Sequence, residues 1–201
     1  MTGFAPSKGR VTFAGRDLST APPHVRARSG LGRTWQSIEL FGDLSVAENL
    51  QAAAEHGDVR QALADLARPH RPRGLPGVAE ALQALGISDL ADRLPPELAQ
   101  GQRKLVGVAR ALAARPTLVC LDEPAAGLDS TESGALGDRL RALVDGGLAL
   151  LLIDHDMGLV MDVCDHVVVL EFGRVLASGP PESVRDDERV IRAYLGETAD
   201  R

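Results

Sequence analysis

Thr117-Leu-Val-Cys-Leu-Asp-Glu-Pro124 is a short apolar run that ends in two adjacent carboxylates and a proline. The apolar part is typical of a strand that is buried on both faces of a parallel sheet. In open parallel sheets the functional side chains collect beyond the carboxyl ends of the strands. Asp122 and Glu123 are therefore candidate functional residues, although an acidic pair after a strand is more often a turn or a helix cap.

A second strand of the same kind is predicted from Leu148 to Ile153, and Asp154-His155-Asp156 follows it. A lone histidine at such a position is usually a hydrogen-bonded polar residue or a helix cap. Because two neighbouring strand ends both carry ionisable groups, a catalytic or ligand-binding role is favoured over a purely structural one. Asp122 has the position of the Mg²⁺ ligand in P-loop ATPases, and Glu123 is placed to orient or deprotonate an attacking water. A histidine at the neighbouring strand end would donate to the terminal phosphate.

A possible phosphate site precedes the first of these strands. Leu98-Ala-Gln-Gly-Gln102 leads into an amphipathic helix that is predicted from Gln102 to Ala114. Backbone N–H groups at a helix start bind phosphate, and glycine allows close approach.

Strands and helices alternate through the second half of the sequence, which predicts an α/β fold with a parallel sheet. The other elements predicted there are helices from Thr131 to Val144 and from Met157 to Cys164, and a strand from Val167 to Leu170. In the first half, alternating residues from Gly9 to Leu18 predict two short strands joined by a tight turn. Residues 45–100 predict helices, from Val46 to about Leu66 and from Val78 to Leu85, with a loop from Arg68 to Gly77 between them.

The composition is that of a globular protein. The chain has 201 residues, 44% of them hydrophobic, which suffices for one core with a subdomain. Its net charge of −6 argues against a general nucleic-acid binder. No apolar run approaches the roughly 18 residues that span a bilayer, and the first residues lack the apolar segment of a secretory signal. Cys120 and Cys164 lie in apolar stretches, which suits reduced thiols in a cytosolic protein.

Taken in this order, the motifs resemble those of the nucleotide-binding subunit of ABC transporters, and the resemblance covers essentially the whole chain. Leu98 to Gln102 looks like the signature motif, Thr117 to Asp122 like the Walker B strand, and Ala126 to Asp129 like the D-loop. Gly32-Arg-Thr-Trp-Gln36 resembles the Q-loop, and His155 resembles the switch histidine. Each string alone is a weak signal, but their order and spacing make the set specific.

The resemblance implies a P-loop NTPase-like ABC ATPase core with a helical subdomain, and ATP and Mg²⁺ as cofactors. It divides residues 1–201, a single partial domain, into an N-terminal sheet with the Q-loop (1–44), a helical subdomain (45–100) and a C-terminal α/β part (101–201). The implied catalytic residues are Glu123, His155 and Gln36; the implied Mg²⁺ ligands are Asp122 and Gln36; Asp129 belongs to the D-loop. The implied signature residues, which would bind the nucleotide of a partner subunit, are Leu98, Ala99, Gln100, Gly101 and Gln102.

Two further stretches narrow the resemblance. The segment from Arg33 to Phe41 and the tail from Gly173 to Val184 are similar to the ATPases of branched-chain amino-acid importers, and lipopolysaccharide-export ATPases share much of the tail. The implied function is ATP-driven import of branched-chain amino acids by two ATPase subunits, identical or paralogous, beneath membrane permease subunits. The chain would then be cytoplasmic, peripheral on the inner face of the plasma membrane, and without a nucleic-acid partner.

One family motif is absent. The phosphate loop (Walker A) has the pattern G-x-x-x-x-G-K-[ST], and neither Lys8 nor Lys104 has the required neighbours. The segment from Met1 to Phe13 resembles the family sequence that follows the Walker A helix, so we expect an N-terminal truncation of about 40 residues. Ala99 and Gln100 also replace the usual serine and glycine of the signature motif.

Two hypotheses follow. In the first, the chain is an ATPase subunit whose phosphate loop lies upstream of Met1. In the second, it is a truncated, non-catalytic subunit that only docks on a permease or on a partner ATPase. The sequence leaves open whether this chain hydrolyses ATP.

Overall fold

The computed structural model describes residues 8–34, 39–54 and 76–196. The strands are β1 (Thr12–Phe13), β2 (Arg16–Asp17), β3 (Leu31–Arg33), β4 (Leu118–Asp122), β5 (Ala149–Ile153), β6 (Val167–Glu171) and β7 (Arg174–Gly179). The helices are α1 (Pro23–Arg28), α2 (Val46–Ala54), α3 (Pro76–Ala84), α4 (Gln100–Leu112), α5 (Ser130–Asp145), α6 (Met157–Val163), α7 (Pro181–Arg185) and α8 (Glu188–Gly196). Two 3-10 turns cover Ser88–Leu90 and Pro95–Glu97.

A parallel sheet of three strands lies at the centre of the fold, in the order β3-β4-β5. The middle strand, β4, alternates buried and half-buried residues because helices and neighbouring strands surround it. The hairpins β1-β2 and β6-β7 are separate antiparallel pairs. The predicted α/β architecture is confirmed for this sheet and for the helices that connect its strands.

The strand predicted from Val167 to Leu170 is present as β6, but it does not belong to the parallel sheet. It pairs antiparallel with β7, a strand that the sequence analysis did not predict. Phe172 and Gly173 form the turn, and both have positive φ, +46° and +76°. Two left-handed residues match the twist of a tight hairpin, and this turn returns the chain along β6.

The prediction that β5 is buried on both faces was wrong. Its end residues are exposed and its middle residues only half-buried, and Ile153 is 56% exposed. The physical reason is that, among the described residues, no strand pairs with the outer edge of β5. The apolar run therefore predicted the strand correctly but not its neighbours.

A gap separates the parallel sheet from the β6-β7 hairpin. Its cavity volume is about 940 Å³, and β5, α6 and β6 form its walls. Apolar side chains line most of this gap. On the β6 side Val168 is 51% exposed and Leu170 is 64% exposed. We call this space the β5-β6 gap.

The main core lies between the helices and the parallel sheet. Its most deeply buried members include Leu50 of α2, Leu85, Val106 of α4, Leu121 of β4 and Leu136 of α5. The helices of the first half and the sheet thus share one apolar cluster. Within the described part of the chain, no helix is long and apolar enough to cross a membrane.

Most predicted helices are present with boundaries shifted by one or two residues, as for α4, α5 and α6. The helix predicted from Val46 to about Leu66 is present as α2 up to Ala54, and its second part lies outside the described residues. The loop predicted from Arg68 to Gly77 is also outside them up to residue 75, and α3 already begins at Pro76. Proline suits a first helical position because its missing N–H would have no partner there.

Candidate functional site

The carboxyl ends of β4 and β5 lie side by side. In the parallel register Asp122 is paired with Ile153, so Glu123 and Asp154 come next on adjacent strands. The Glu123 N–H donates to the carbonyl oxygen of Ile153 at 2.7 Å, which extends the ladder by one residue. The structure therefore brings together the two strand ends that the sequence analysis singled out.

Asp122 ends β4, and its side chain is about one-third exposed (32%). Nη2 of Arg33 lies 3.9 Å from Oδ2 of Asp122. The Asp122 N–H donates to Oγ1 of Thr34 at 3.3 Å. Arg33 and Thr34 belong to the stretch that resembles the Q-loop, but the resemblance implies no role for either side chain. Their position beside Asp122 comes from the pairing of Arg33 with Cys120, which the sequence pattern does not reveal.

Glu123 has a left-handed backbone conformation, with φ at +48°. A residue with a Cβ atom pays roughly 1–3 kcal/mol for such a conformation, and strain of this kind is concentrated at functional sites. The two residues that follow, Pro124 and Ala125, are buried and fix the turn. Nζ of Lys104 on α4 donates to the Glu123 carbonyl oxygen at 3.4 Å. The strained turn is a second reason, besides its position, to regard Glu123 as functional.

His155 has an exposed side chain, and its main-chain N–H is held by a hydrogen bond. The imidazole is 73% exposed, whereas the side chain of the preceding Asp154 is completely buried. Nδ1 of His155 lies 3.5 Å from Oδ1 of Asp154. The same Oδ1 accepts a hydrogen bond from the His155 N–H at 2.8 Å. The His155 ring is therefore accessible from solvent, while its main chain is held by the buried Asp154 side chain.

Two acidic residues near the site cap helices. Asp129 begins α5 and accepts a hydrogen bond from the N–H of Glu132 at 2.8 Å, while Glu132 accepts from the N–H of Asp129 at 3.2 Å. Asp156 begins α6 and accepts from the N–H of Leu159 at 3.2 Å. A bond from Oγ of Ser133 at 2.6 Å is the main cause that lowers the pKa of Asp156 below its ordinary value. Asp129 therefore caps and stabilises α5, a structural role that is separate from its proposed role in the D-loop.

The signature segment surrounds the start of α4. Leu98 is buried in the core, while Ala99 and Gln100 are exposed. Oε1 of Gln102 accepts a hydrogen bond from the N–H of Ala99 at 3.0 Å. Ala99 has no side-chain oxygen to return that bond, so the first N–H groups of α4 lack the cap that serine would give. Uncapped N–H groups at an exposed helix start are suited to bind an anion.

Two glycines lie where the start of α4 approaches the first turn of α5 and the loop before it. A Cβ atom at Gly101 would lie 2.5 Å from Oε1 of Glu132, and one at Gly127 would lie 2.6 Å from Nε2 of Gln100. Gly127 also has a φ of +79°, which disfavours residues with a Cβ atom. Both contacts are to the ends of flexible side chains, so the positive φ of Gly127 is the stronger reason for a glycine in this region.

Gln36 was predicted as a catalytic and Mg²⁺-binding residue, and it lies outside the described residues. Asp122 supplies one carboxylate, and Mg²⁺ sites in nucleotide-binding proteins use one or two carboxylates together with substrate phosphates. No cluster of three or more His, Cys, Asp or Glu side chains that could hold a metal occurs in the described ranges. The residues therefore fit Mg²⁺ only together with nucleotide phosphates, and the 201-residue sequence contains no G-x-x-x-x-G-K-[ST] loop to hold those phosphates.

Comparison with known proteins decides the family. Residues 1–126 match the family model of the ABC transporter. The chain belongs to the ABC transporter family. Residues 174–200 of this cassette also match a second family model, the branched-chain amino acid ATP-binding cassette transporter. The family resemblance stated from the motifs is confirmed.

Curated relatives match over nearly the whole cassette. It is 37% identical to BraF of Pseudomonas aeruginosa, a high-affinity branched-chain amino acid transport ATP-binding protein, over 98% of this chain and 80% of the relative. It is 36% identical to LivG of Salmonella typhimurium, described in the same words, with the same coverage. It is also 36% identical to LptB of Haemophilus influenzae, a lipopolysaccharide export system ATP-binding protein, over 94% of this chain and 75% of the relative.

Solved structures confirm the fold. An ATP-binding cassette of an ABC transporter superposes with a TM-score of 0.80 at 28% identity, over 96% of this chain and 79% of that one. CbiO1 from Clostridium perfringens, part of the ABC transporter complex cbiONQ, gives a TM-score of 0.74 at 26% identity, over 100% of this chain and 80% of that one. The cassette thus has an ABC ATPase core, and membership of this family implies nucleotide binding.

Proposed function

We propose that this cassette is the ATP-binding and ATP-hydrolysing subunit of an importer for branched-chain amino acids. It works as one of two ATPase subunits, identical or paralogous, on the cytoplasmic side of membrane permease subunits. Its cofactors are ATP and Mg²⁺. The observation that carries the proposal is the row of side chains Asp122, Glu123 and His155 at the adjacent ends of β4 and β5.

Each of these side chains has an assigned task. Asp122, together with Gln36, holds Mg²⁺ against the nucleotide phosphates. Glu123 orients and deprotonates the attacking water, and His155 donates to the terminal phosphate. The signature residues, at the exposed start of α4, contact the nucleotide of the partner subunit, and Asp129 lies in the D-loop between the two sites. The functional division into residues 1–44, 45–100 and 101–201 remains part of this proposal.

The substrate class is supported by the carboxyl-terminal match. Residues 174–200, which include β7 and α7, match the branched-chain family model, and the names of BraF and LivG agree with it. Similarity to LptB supports lipopolysaccharide export as a second candidate. Uptake of labelled leucine by proteoliposomes that contain the cassette and its permease tests the first candidate. Release of lipopolysaccharide without leucine uptake would favour the second.

Two variants test the enzymatic part in the reconstituted transporter. Glu123→Gln should lower kcat for ATP hydrolysis by about 10²–10⁴-fold, since general-base assistance contributes that much. Glu182→Gln is the matched control and should leave kcat unchanged, because Glu182 is exposed on α7 and does not belong to the side chains at the ends of β4 and β5. Equal rates for the two variants would contradict the role of Glu123.

The non-catalytic alternative is favoured by Ala99, Gln100 and the missing phosphate-loop pattern. A tag placed at the carboxyl end of the chromosomal gene separates the two hypotheses by the mass of the cellular product. A product larger than the 21.2 kDa of this chain plus the mass of the tag, with a glycine-lysine loop in its first residues, supports the enzyme. A product of 21.2 kDa plus the mass of the tag that docks on the permease but adds no ATPase activity supports the alternative.

A further inference from the structure

We infer that Asp154 is a positioning residue that locks the Glu123 turn and the His155 segment into one rigid unit. The inference rests on the proposed function in so far as Glu123 and His155 act on ATP. In the sequence Asp154 is the residue before His155, and the family resemblance implies no role for it. Its contacts come from the two loops that carry the proposed catalytic groups.

The buried carboxylate of Asp154 collects three main-chain donors. Oδ1 accepts from the N–H groups of His155 at 2.8 Å and Asp156 at 3.0 Å, and Oδ2 accepts from the N–H of Ala125 at 3.1 Å. Its side chain is completely buried. Hydrogen bonds to an ionised group are shorter and roughly twice as strong as neutral ones. The carboxylate is therefore fixed by the loops after β4 and after β5 together.

The bond to Ala125 acts on the strained turn. Glu123 has its φ at +48°, and Ala125 is two residues further along the same turn. A left-handed non-glycine residue persists only when its surroundings fix it. Asp154 supplies part of that restraint from the neighbouring strand end, through the only side chain that bonds an N–H of the turn residues 123–125 among the described contacts.

A second path connects the same two loops. Asp156, whose N–H bonds Asp154, also accepts a hydrogen bond from Ser133 of α5 at 2.6 Å. Asp129, the residue that caps α5, lies at the end of the loop that carries Glu123. Asp154 and Ser133 thus hold the His155 segment against both ends of the loop between β4 and α5. Displacement of one loop must strain the other.

Amide hydrogen exchange on the full chain tests the positioning. Asp154→Asn keeps the size but offers one oxygen in place of two, and its NH₂ group then faces an N–H donor. We expect the amide or amides that face the NH₂ group, Ala125 on the Oδ2 side or His155 and Asp156 on the Oδ1 side, to exchange at least ten-fold faster, on the scale of fold-changes that a lost bond produces. The paired residues Val169 and Ala177 of the hairpin serve as internal references.

Asp162→Asn is the matched control, since Asp162 is exposed on α6, and it should change none of these rates. Unchanged exchange in Asp154→Asn at the three amides would overturn the inference. Should Asp154→Asn not fold, Asp154→Glu carries the same test, because one added methylene displaces the buried carboxylate. Faster exchange confined to the three amides supports the inference in either variant.

Kinetics in the reconstituted transporter separates positioning from binding. Asp154→Asn should lower kcat about ten-fold or more while KM for ATP stays within about two-fold, because the Asp154 side chain is completely buried and both its oxygens already accept main-chain N–H bonds. A rise in KM with unchanged kcat would overturn the inference. If the wild-type transporter hydrolyses no ATP, the proposed function fails, and the exchange experiment still decides the positioning.

Discussion

Ser133 and Asp156 show how one hydrogen bond links two helices beside the candidate site. The buried hydroxyl of Ser133 on α5 donates to Asp156 at the start of α6. This bond, followed by the N–H of Leu159, holds the pKa of Asp156 below its ordinary value of 3.8. Folding therefore favours the ionised carboxylate. The resulting stability is present above the ordinary pKa and is lost as the pH falls through the lower pKa of the folded protein.

Replacement of Ser133 by alanine removes this bond. We expect Ser133→Ala to lower the free energy of unfolding by about 1–2 kcal/mol at pH 7, and the loss to shrink below pH 3.8. Urea titrations at pH 7 and at about pH 3 measure the difference. Ser130→Ala, at an exposed position of the same helix, should change it by less than about 0.5 kcal/mol. Equal losses for Ser133→Ala at both pH values would contradict the explanation.

Asp129 allows a second test at the residue scale, because its role as helix cap can be measured by protein stability, separately from its proposed role in the D-loop. Asp129→Ala should lower the free energy of unfolding by about 1 kcal/mol, whereas Asp129→Asn should cost little, since asparagine caps helices as well as aspartate. Thermal or urea unfolding of both variants measures this. Equal destabilisation by the two variants would show that the carboxylate charge, and not the cap, stabilises α5.

Helix α3 packs against the end of α4 through a glycine. A Cβ atom at Gly77 would overlap the carbonyl oxygen of Ala113, which belongs to the main chain and cannot turn aside. The ion pair between Glu80 and Arg115 joins the same two regions at the surface. Exposed ion pairs contribute little to stability. We therefore expect Gly77, and not this pair, to set the distance between the helices.

Alanine at Gly77 should therefore destabilise the protein despite its better helix propensity. We expect Gly77→Ala to lower the free energy of unfolding by about 1–3 kcal/mol, the usual range for overpacking. Gly134→Ala is the control: a Cβ atom there meets nothing within 4 Å, so it should raise the free energy by up to about 1 kcal/mol. Stabilisation by both substitutions in denaturant titrations would show that α3 and α4 can move apart.

At the element scale, the sequence predicted the helices better than the strands' partners. The 3.6-residue periodicity of α4 and α5 depends on residues a few positions apart, so their boundaries were predicted within two residues. The strands β5 and β6 were also found, but their surroundings were not. Exposure of β5 and the antiparallel pairing of β6 depend on which strands lie beside them, and an apolar run carries no such information.

The β5-β6 gap is the main feature at the scale of the whole molecule. Apolar side chains on β5 and β6 line it, and exposed apolar strand edges pair readily with other chains. We expect the purified 201-residue chain to self-associate as its concentration rises. Sedimentation velocity over a concentration series measures this association.

A charge in the gap should suppress self-association. Leu170→Lys places a cation where 64% of the side chain is exposed, so the fold should tolerate it. The monomer fraction should then increase, because pairing at this edge would bury the charge. Val25→Lys, at a 38% exposed apolar position on α1, should leave the association unchanged. If both variants increased the monomer fraction equally, the cause would be the change in net charge and not the position of the lysine.

The sequence by itself determined the family, the helices and the residues that end β4 and β5, because these depend on local pattern and motif order. The tertiary structure decided which residues lie beside the site residues in space. Thr34 meets Asp122 across 88 positions of the chain, and Asp154 bonds Ala125 across 29. Contacts of this kind arise only when strands pair in register, and the register is set by the packing of the whole core. For this reason Asp122 and Glu123 were predicted from the sequence, whereas Arg33 and the buried carboxylate of Asp154 were found only in the folded protein.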